Sequence, residues 1–534
     1  MRDLHFPGRS TVHGVNGICA TSHPLASLTA LDILRRGGNA IDAAIAASAV
    51  LCVVEPMSTG IGGDCFVLYA PSGGPEIVGL NGSGRAPAAL SIDQVAGQGV
   101  DTMAPTSVHA VTIPGAVDAW CRLSEDFGVL DFSALLQPAI EYALKGFAVS
   151  PRIARDWALL SAHIGRSEEG RRHFLKEGRA PRVGEVMTLP ALGRTLQVIA
   201  ANGRGGFYQG MVAEDMVACL NARGGTHTLS DFAATHSDTV EPVRALFGPL
   251  DVVELPPNGQ GVTALLMLNI LSRFDLAALG AGSAQVIHLH MEAQRMAFEV
   301  RDSFISDPDF ADVPVKAILS DQFADKCAAR IDPQRASRDK PAVSADLQRD
   351  TVYLTVVDRE CNAVSFINSV YMGFGSAIVS PRTAVVFQNR GLGFSLDTHH
   401  PNALKGGKRP KHTIIPAMAC HGSGAFKGQV ALSFGVMGGD YQPVGHAHVM
   451  SNIVNFGMDP QEALDAPRTF YQDQAIACER GVPADVMAGL EDMGHDVCVA
   501  TAPHGGGQIA RIDWEQGSFC AASDPRKDGA ALAY

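Results

Sequence analysis

Two hydroxyl side chains in the last third of the chain are spaced so that a hairpin would bring them together. Residues 350–369 read DTVYLTVVDRECNAVSFINS, two β-rich runs around a short polar turn, which is the pattern of a β-hairpin. If Asp358 pairs with Asn362 around Arg359-Glu360-Cys361, opposed positions sum to 720 and Thr351 faces Ser369. Directly opposed side chains in an antiparallel pair have Cβ atoms about 4.5–5.5 Å apart, near enough for one hydroxyl to support the other.

A threonine hydroxyl is a weak nucleophile until a base takes its proton. At the first position of a chain the residue's own α-amine, with an ordinary pKa of about 7.7–8.0, can serve as that base. Thr351 is internal, so this chemistry requires the Asp350–Thr351 bond to break first: the Thr351 hydroxyl attacks the Asp350 carbonyl, and water resolves the ester. The stretch ahead of it suits such an event. Of the twenty residues Ile331 to Asp350, eight are charged and two are proline, so the segment is expected to be flexible and exposed. A plain strand threonine after a solvated surface loop has the same appearance, and the hairpin alone leaves both readings open.

Two other stretches could do chemistry beside it. VALSFGVMGGDYQPVGH places Gly438 and Gly439 between a strand-like run and a helix, where exposed backbone N–H groups could donate to an oxyanion. KRPKHTIIPAM gathers Arg409, Lys411, His412 and Thr413 ahead of a proline, a reasonable anion-recognition loop. An ordinary strand-to-helix turn and a solvated basic turn are the bland counterparts.

The surrounding elements read as α/β layering. Helical apolar spacing runs from Pro24 to Arg36 and stops at Gly37-Gly38. Asn39 can cap the next helix, AIDAAIAASAVLCVV, which is apolar nearly all round and hence central. STGIGGDCFVLYA is a glycine turn entering a strand, and further helices are expected at Gly115–Asp126, Ser133–Lys145, Gln285–Asp302 and Pro443–Phe456.

Bulk properties narrow the function classes. The chain has 534 residues, 46% of them hydrophobic and 18% charged, with 56 glycines and a net charge of −13. These describe a globular protein and argue against nucleic acid as the main partner. The most apolar early run, Ala43 to Val54, falls short of the roughly 20 residues needed to cross a bilayer, so no membrane partner is expected. MRDLHFPGRSTV lacks the pattern of a secretory signal, and eleven scattered cysteines without a C-x-x-C pair fit reduced thiols; a cytoplasmic location is the expectation. No cofactor is expected, since the G-x-G-x-x-G, P-loop and G-x-S-x-G patterns are absent. No metal is expected either: His399-His400 and His446-x-His448 lack an accompanying H-E-x-x-H or carboxylate cluster.

The ordered motifs SHPLASLTALDILRRGGNAIDAAIAASAVLCVVEPMSTGIGGDCF, IPGAVDAW, DSFISDPDF, DTVYLTVVDRECNAV, RPKHTIIPAM and GVMGGD resemble the γ-glutamyltransferase family of N-terminal-nucleophile hydrolases over nearly the full chain. The resemblance implies a four-layer αββα sandwich built from a proenzyme that cuts itself. It assigns 1–350 to a large subunit, with 331–350 as the pre-cleavage segment, and 351–534 to a small subunit, the two remaining partners; nothing forbids a higher oligomer. It implies that Thr351 is the nucleophile, Ser369 its supporting hydroxyl, Gly438 and Gly439 the oxyanion hole, and His412 and Thr413 the holders of a substrate carboxylate.

The departures point to a different substrate. The family's acidic residue and glutamine that bind a glutamyl α-amine fall on Gly393 and Arg390, and its asparagine on Tyr371. Its carboxylate-binding arginine has no clean counterpart; Arg85 of NGSGRAP is the nearest, displaced by two positions. A pocket with donors for a carboxylate and none of the usual acceptors for an ammonium looks like the family's oxamate-hydrolysing branch. The expected substrate is therefore a small acidic amide, with γ-glutamyl amides such as glutathione as the alternative.

Overall fold

The hairpin forms in the counted register. The strand Val352–Asp358 pairs antiparallel with Ala363–Ser369, from Val352 opposite Asn368 to Val357 opposite Ala363. Asp358 fixes this register at the turn. Its Oδ1 accepts the Glu360 and Asn362 N–H groups, both at 3.0 Å, and its Oδ2 accepts the Asn362 side-chain amide at 2.8 Å. The same Oδ2 takes the Ala40 N–H at 2.9 Å, which pins the hairpin to the start of the helix Ala40–Val54. That helix begins with the expected Asn39 cap, in a capping box with Asp42.

This computed structural model describes residue 5 and residues 8–97, 99, 101–337 and 351–534; residues 338–350, including Asp350, lie outside the described residues. The hairpin occupies the middle of a seven-stranded antiparallel sheet. Its strands run Ala530–Ala533, Gly17–Thr21, Val352–Asp358, Ala363–Ser369, Asp64–Ala70, Val78–Gly82 and Asp238–Val240. A second seven-stranded antiparallel sheet faces it. Its strands run Val12–Gly14, Ser518–Ser523, Gly506–Asp513, Val430–Met437, Ala417–His421, Leu250–Glu254 and Val243–Phe247.

Three apolar layers show how the sheets are stacked. Val352, Leu354, Val356, Val364 and Phe366 pack with the helix Ala40–Val54. The alternate residues Tyr353, Val357, Ala363 and Ile367 pack instead against Val253, Met418 and Ala510 of the opposite sheet. On that sheet's far side, Val252, Ala419, Phe434 and Ile509 pack with the helices Gly261–Leu271, Ala284–Phe304 and Gln442–Val454. The result is the expected αββα sandwich. Because side chains alternate along a strand, both hairpin strands are buried on both faces.

The start of the 331–350 segment is anchored: Ile331 is buried, the Ala336 N–H donates to the Met493 carbonyl at 2.8 Å, and the Ser337 N–H donates to Glu292 Oε1 at 3.2 Å. Asp332 to Arg335, between these anchors, are exposed. Among the described residues, no helix is long and apolar enough to cross a membrane.

Burial also makes the fold acid-sensitive. It pushes His23, His227 and His290 down to about 4 and His412 to about 3. In the unfolded chain these imidazoles titrate near 6.5. Below about pH 6.5 the unfolded state therefore binds protons that the native state refuses, and stability falls as pH drops. The melting temperature should decline steadily between pH 7 and pH 5, before most carboxylates titrate. A flat melting temperature across that interval would contradict this account of the buried histidines.

Candidate active site

Thr351 and Ser369 share the parity of Tyr353, Val357, Ala363 and Ile367, so the alternation carries them to the face between the sheets. Both are buried, and their hydroxyl oxygens are 3.1 Å apart. Ser369 Oγ accepts the Tyr371 N–H at 2.9 Å and lies 3.5 Å from Arg390 Nη2. Either hydroxyl can donate in the 3.1 Å contact between Ser369 and Thr351. Tyr371 adopts φ 80°, a left-handed conformation that costs a bulky residue roughly 1–3 kcal/mol. It aims the Tyr371 N–H back at the end of its own strand.

Arg390 is fully buried at the start of the short turn Arg390–Gly393. Its Nη1 donates to Thr413 Oγ1 at 2.7 Å, and its guanidinium lies 4.2 Å over the Tyr371 ring, a cation–π contact. No more than two hydrogen-bond lengths separate this charge from the Thr351 hydroxyl.

The glycine turn is tied to the same cluster through Gln260. Its Nε2 donates to the Thr413 carbonyl at 2.7 Å and to the Gly439 carbonyl at 3.0 Å. Its Oε1 accepts from Arg301 at 3.2 Å, and Arg301 pairs with Asp440 at 3.0 Å. Gly438 and Gly439 follow the strand Val430–Met437 with φ 123° and 61°. Such values suit residues without a Cβ, and a Cβ on Gly438 would meet the Gly505 backbone at 3.1 Å.

Two expected contacts are revised. His412 offers no ring nitrogen to a substrate: Nε2 donates to Asp64 Oδ2 at 3.0 Å, and Nδ1 accepts the Ile414 N–H at 3.3 Å. Burial, reinforced by the nearby Arg390 charge, keeps the imidazole neutral. Arg85 pairs with Asp238 at 3.1 Å and donates to the His236 carbonyl, and Arg409 shares that carboxylate at 2.5 Å; Arg85 is thus engaged with another element. Gly393 has no room for an acid, since a Cβ there would sit 2.5 Å from the Lys411 carbonyl oxygen. His446 lies between Glu254, at 2.7 Å, and the Val436 N–H, and His448 contacts Asn452.

Sequence reasoning missed the carboxylate that organises this region. Asp64 Oδ1 accepts the Gly84 N–H at 2.9 Å, the Gly115 N–H at 3.2 Å and Gln388 Nε2 at 2.8 Å, while Oδ2 holds His412. It is fully buried. An acid at the head of the apolar strand in GIGGDCF was the available signal, because a buried charge needs several donors.

The comparisons with known proteins agree with this architecture. The Gamma-glutamyltranspeptidase family matches residues 26–534. The glutathione hydrolase-like YwrD proenzyme of Bacillus subtilis is 35% identical, covering 98% of this chain and 99% of its own length. The oxamate amidohydrolase proenzyme of Klebsiella pneumoniae is also 35% identical, covering 97% and 98%. The crystal structure of cephalosporin acylase from Bacillus halodurans superposes with a TM-score of 0.92 at 39% identity, covering 100% of this chain and 99% of that one. The chain therefore belongs to the γ-glutamyltranspeptidase family of N-terminal-nucleophile amidohydrolase proenzymes.

Proposed function

We propose that the protein cuts itself before Thr351 and then hydrolyses a small, amine-free acidic amide, with oxamate as the leading substrate. The observation that carries the substrate reading is Arg390, buried against Thr413, Ser369 and Tyr371 beside the nucleophile. A carboxylate held by this guanidinium is close enough to Thr351 to be bonded directly to the scissile carbonyl, as in oxamate. In a γ-glutamyl amide three carbons separate the two groups, and an α-ammonium would sit near a fixed positive charge.

In processing, the Thr351 hydroxyl attacks the Asp350 carbonyl and water hydrolyses the ester, leaving fragments 1–350 and 351–534. In turnover, the new α-amine takes the Thr351 proton as Oγ1 adds to the amide carbonyl. The Gly438 and Gly439 N–H groups receive the oxyanion, Ser369 donates to Oγ1, and Arg390 with Thr413 holds the carboxylate. The ammonium formed at Thr351 returns its proton to the departing nitrogen, ammonia leaves, and water releases the acid. His412 and Asp64 act as positioning residues that hold the loop bearing Thr413. The competing reading, γ-glutamyl hydrolysis, draws on the equally similar glutathione hydrolase-like relative.

Processing is tested by electrophoresis and N-terminal sequencing. The smaller fragment should begin Thr-Val-Tyr-Leu, and Thr351→Ala should leave one full-length chain; normal cleavage of that variant would refute the mechanism. Ser369→Ala should fold yet react slowly. Loss of one hydrogen bond to the nucleophile costs about 1–3 kcal/mol, or roughly fivefold to 150-fold in rate; unchanged turnover would remove Ser369 from the site.

The substrate reading is tested by ammonia release from oxamate, a glutaryl amide, glutamine and glutathione. Oxamate should have the highest kcat/KM, and the glutaryl amide, which has no ammonium, should exceed the γ-glutamyl compounds. Arg390→Gln should lower oxamate turnover by about 2–4 kcal/mol, roughly thirtyfold to a thousandfold, and narrow the gap to the γ-glutamyl compounds. Preferred hydrolysis of glutathione or glutamine by the wild type would overturn the amine-free pocket.

A further inference from the structure

Far along the same chain, on the outer helical layer, two imidazoles and a carboxylate converge. The helix Ala284–Phe304 carries His288 and Glu292, four residues apart and thus on one face. His495, just ahead of the strand Val497–Val499, brings its Nε2 to 2.7 Å from His288 Nδ1. All three residues are buried, and one ligand atom from each lies within 4.8 Å of the others.

The partners around the trio prepare it for a cation. His288 Nε2 lies 2.8 Å from the Asp332 carbonyl, which can only accept, so the ring proton is on Nε2 and the Nδ1 lone pair points into the cluster. Holding an imidazole by its far nitrogen is how proteins orient a metal-ligating histidine. Glu292 Oε1 is held by Arg295 at 2.8 Å and by the Ser337 N–H at 3.2 Å. Its Oε2 accepts no hydrogen bond among the described residues, which leaves one oriented carboxylate oxygen for a ligand.

We propose that His288, Glu292 and His495 form a binding site for a zinc-class divalent cation, with water completing a four-coordinate shell. Two nitrogens and one carboxylate oxygen are a ligand set that zinc accepts. Tetrahedral zinc with bonds of about 2.0–2.1 Å needs its nitrogens about 3.3 Å apart, so the rings open by roughly half an ångström. His495 changes tautomer, its proton moving from Nε2 to Nδ1. The Arg295 charge beside Glu292 moderates the affinity. If the chain is cut before Thr351, as proposed above, the ion bridges the two fragments, because His288 and Glu292 precede the cut and His495 follows it.

The test uses the metal-stripped full chain, with Cys498→Ser to remove the exposed thiol, titrated with zinc chloride and, separately, cobalt chloride. One equivalent of zinc should bind and raise the melting temperature, and cobalt should give the intense visible absorption of a four-coordinate site. His495→Ala and His288→Ala should abolish both signals. Glu292→Gln, the variant least able to disturb folding, should weaken zinc binding at least tenfold, and His399→Ala should change nothing. Thr351→Ala should bind zinc like the wild type, which separates this site from the processing step. Absence of stoichiometric binding, or binding that survives the two histidine substitutions, would show that the trio is only a hydrogen-bonded packing cluster.

Discussion

A two-residue periodicity governs this structure. Both hairpin strands are buried on both faces, with even-numbered residues against the helices and odd-numbered residues between the sheets. A slip of one residue would exchange the two faces, sending the Thr351 hydroxyl into the helical layer and Leu354 between the sheets. Asp358 prevents the slip by binding three donors of the turn and the first N–H of the central helix. The position of the candidate nucleophile therefore depends on a carboxylate at the opposite end of its own strand.

The second constraint is charge in a buried place. Arg390 and Asp64 are both fully enclosed, and an isolated ion there would cost several kcal/mol. Each is surrounded by complementary dipoles: hydroxyl oxygens and an aromatic face for the guanidinium, and two backbone N–H groups, an amide and an imidazole for the carboxylate. Neutral His412 lies between these two groups, bonded to Asp64 and close to the Arg390 charge. The arrangement fixes a positive charge near Thr351, and a preorganised charge of this kind selects a substrate by the sign of its own nearest group.

Local patterns were legible where their causes are local. Helix spacing, the Asn39 cap, the hairpin register and the glycine turn all depend on neighbours within a few residues, and the elements formed where that spacing placed them. The misreadings share the opposite property. The Asp64 partner of His412 is 348 residues away, and the Asp238 partner of Arg85 is 153 residues away, so neither engagement has a local signature. Pair partners across the sandwich, rather than residue types, decide which charged side chains reach the pocket.

The central claim is that Thr351 carries the acyl group of an amine-free acid, and the acyl-enzyme reports on both halves at once. Rapid acid quench during turnover of a mixture of oxamate and glutathione, followed by peptide mass spectrometry, would identify the adduct. An oxalyl ester on the peptide beginning at Thr351 is the predicted species. A glutamyl adduct on that peptide would contradict the substrate assignment, and an adduct on any other residue would contradict the nucleophile.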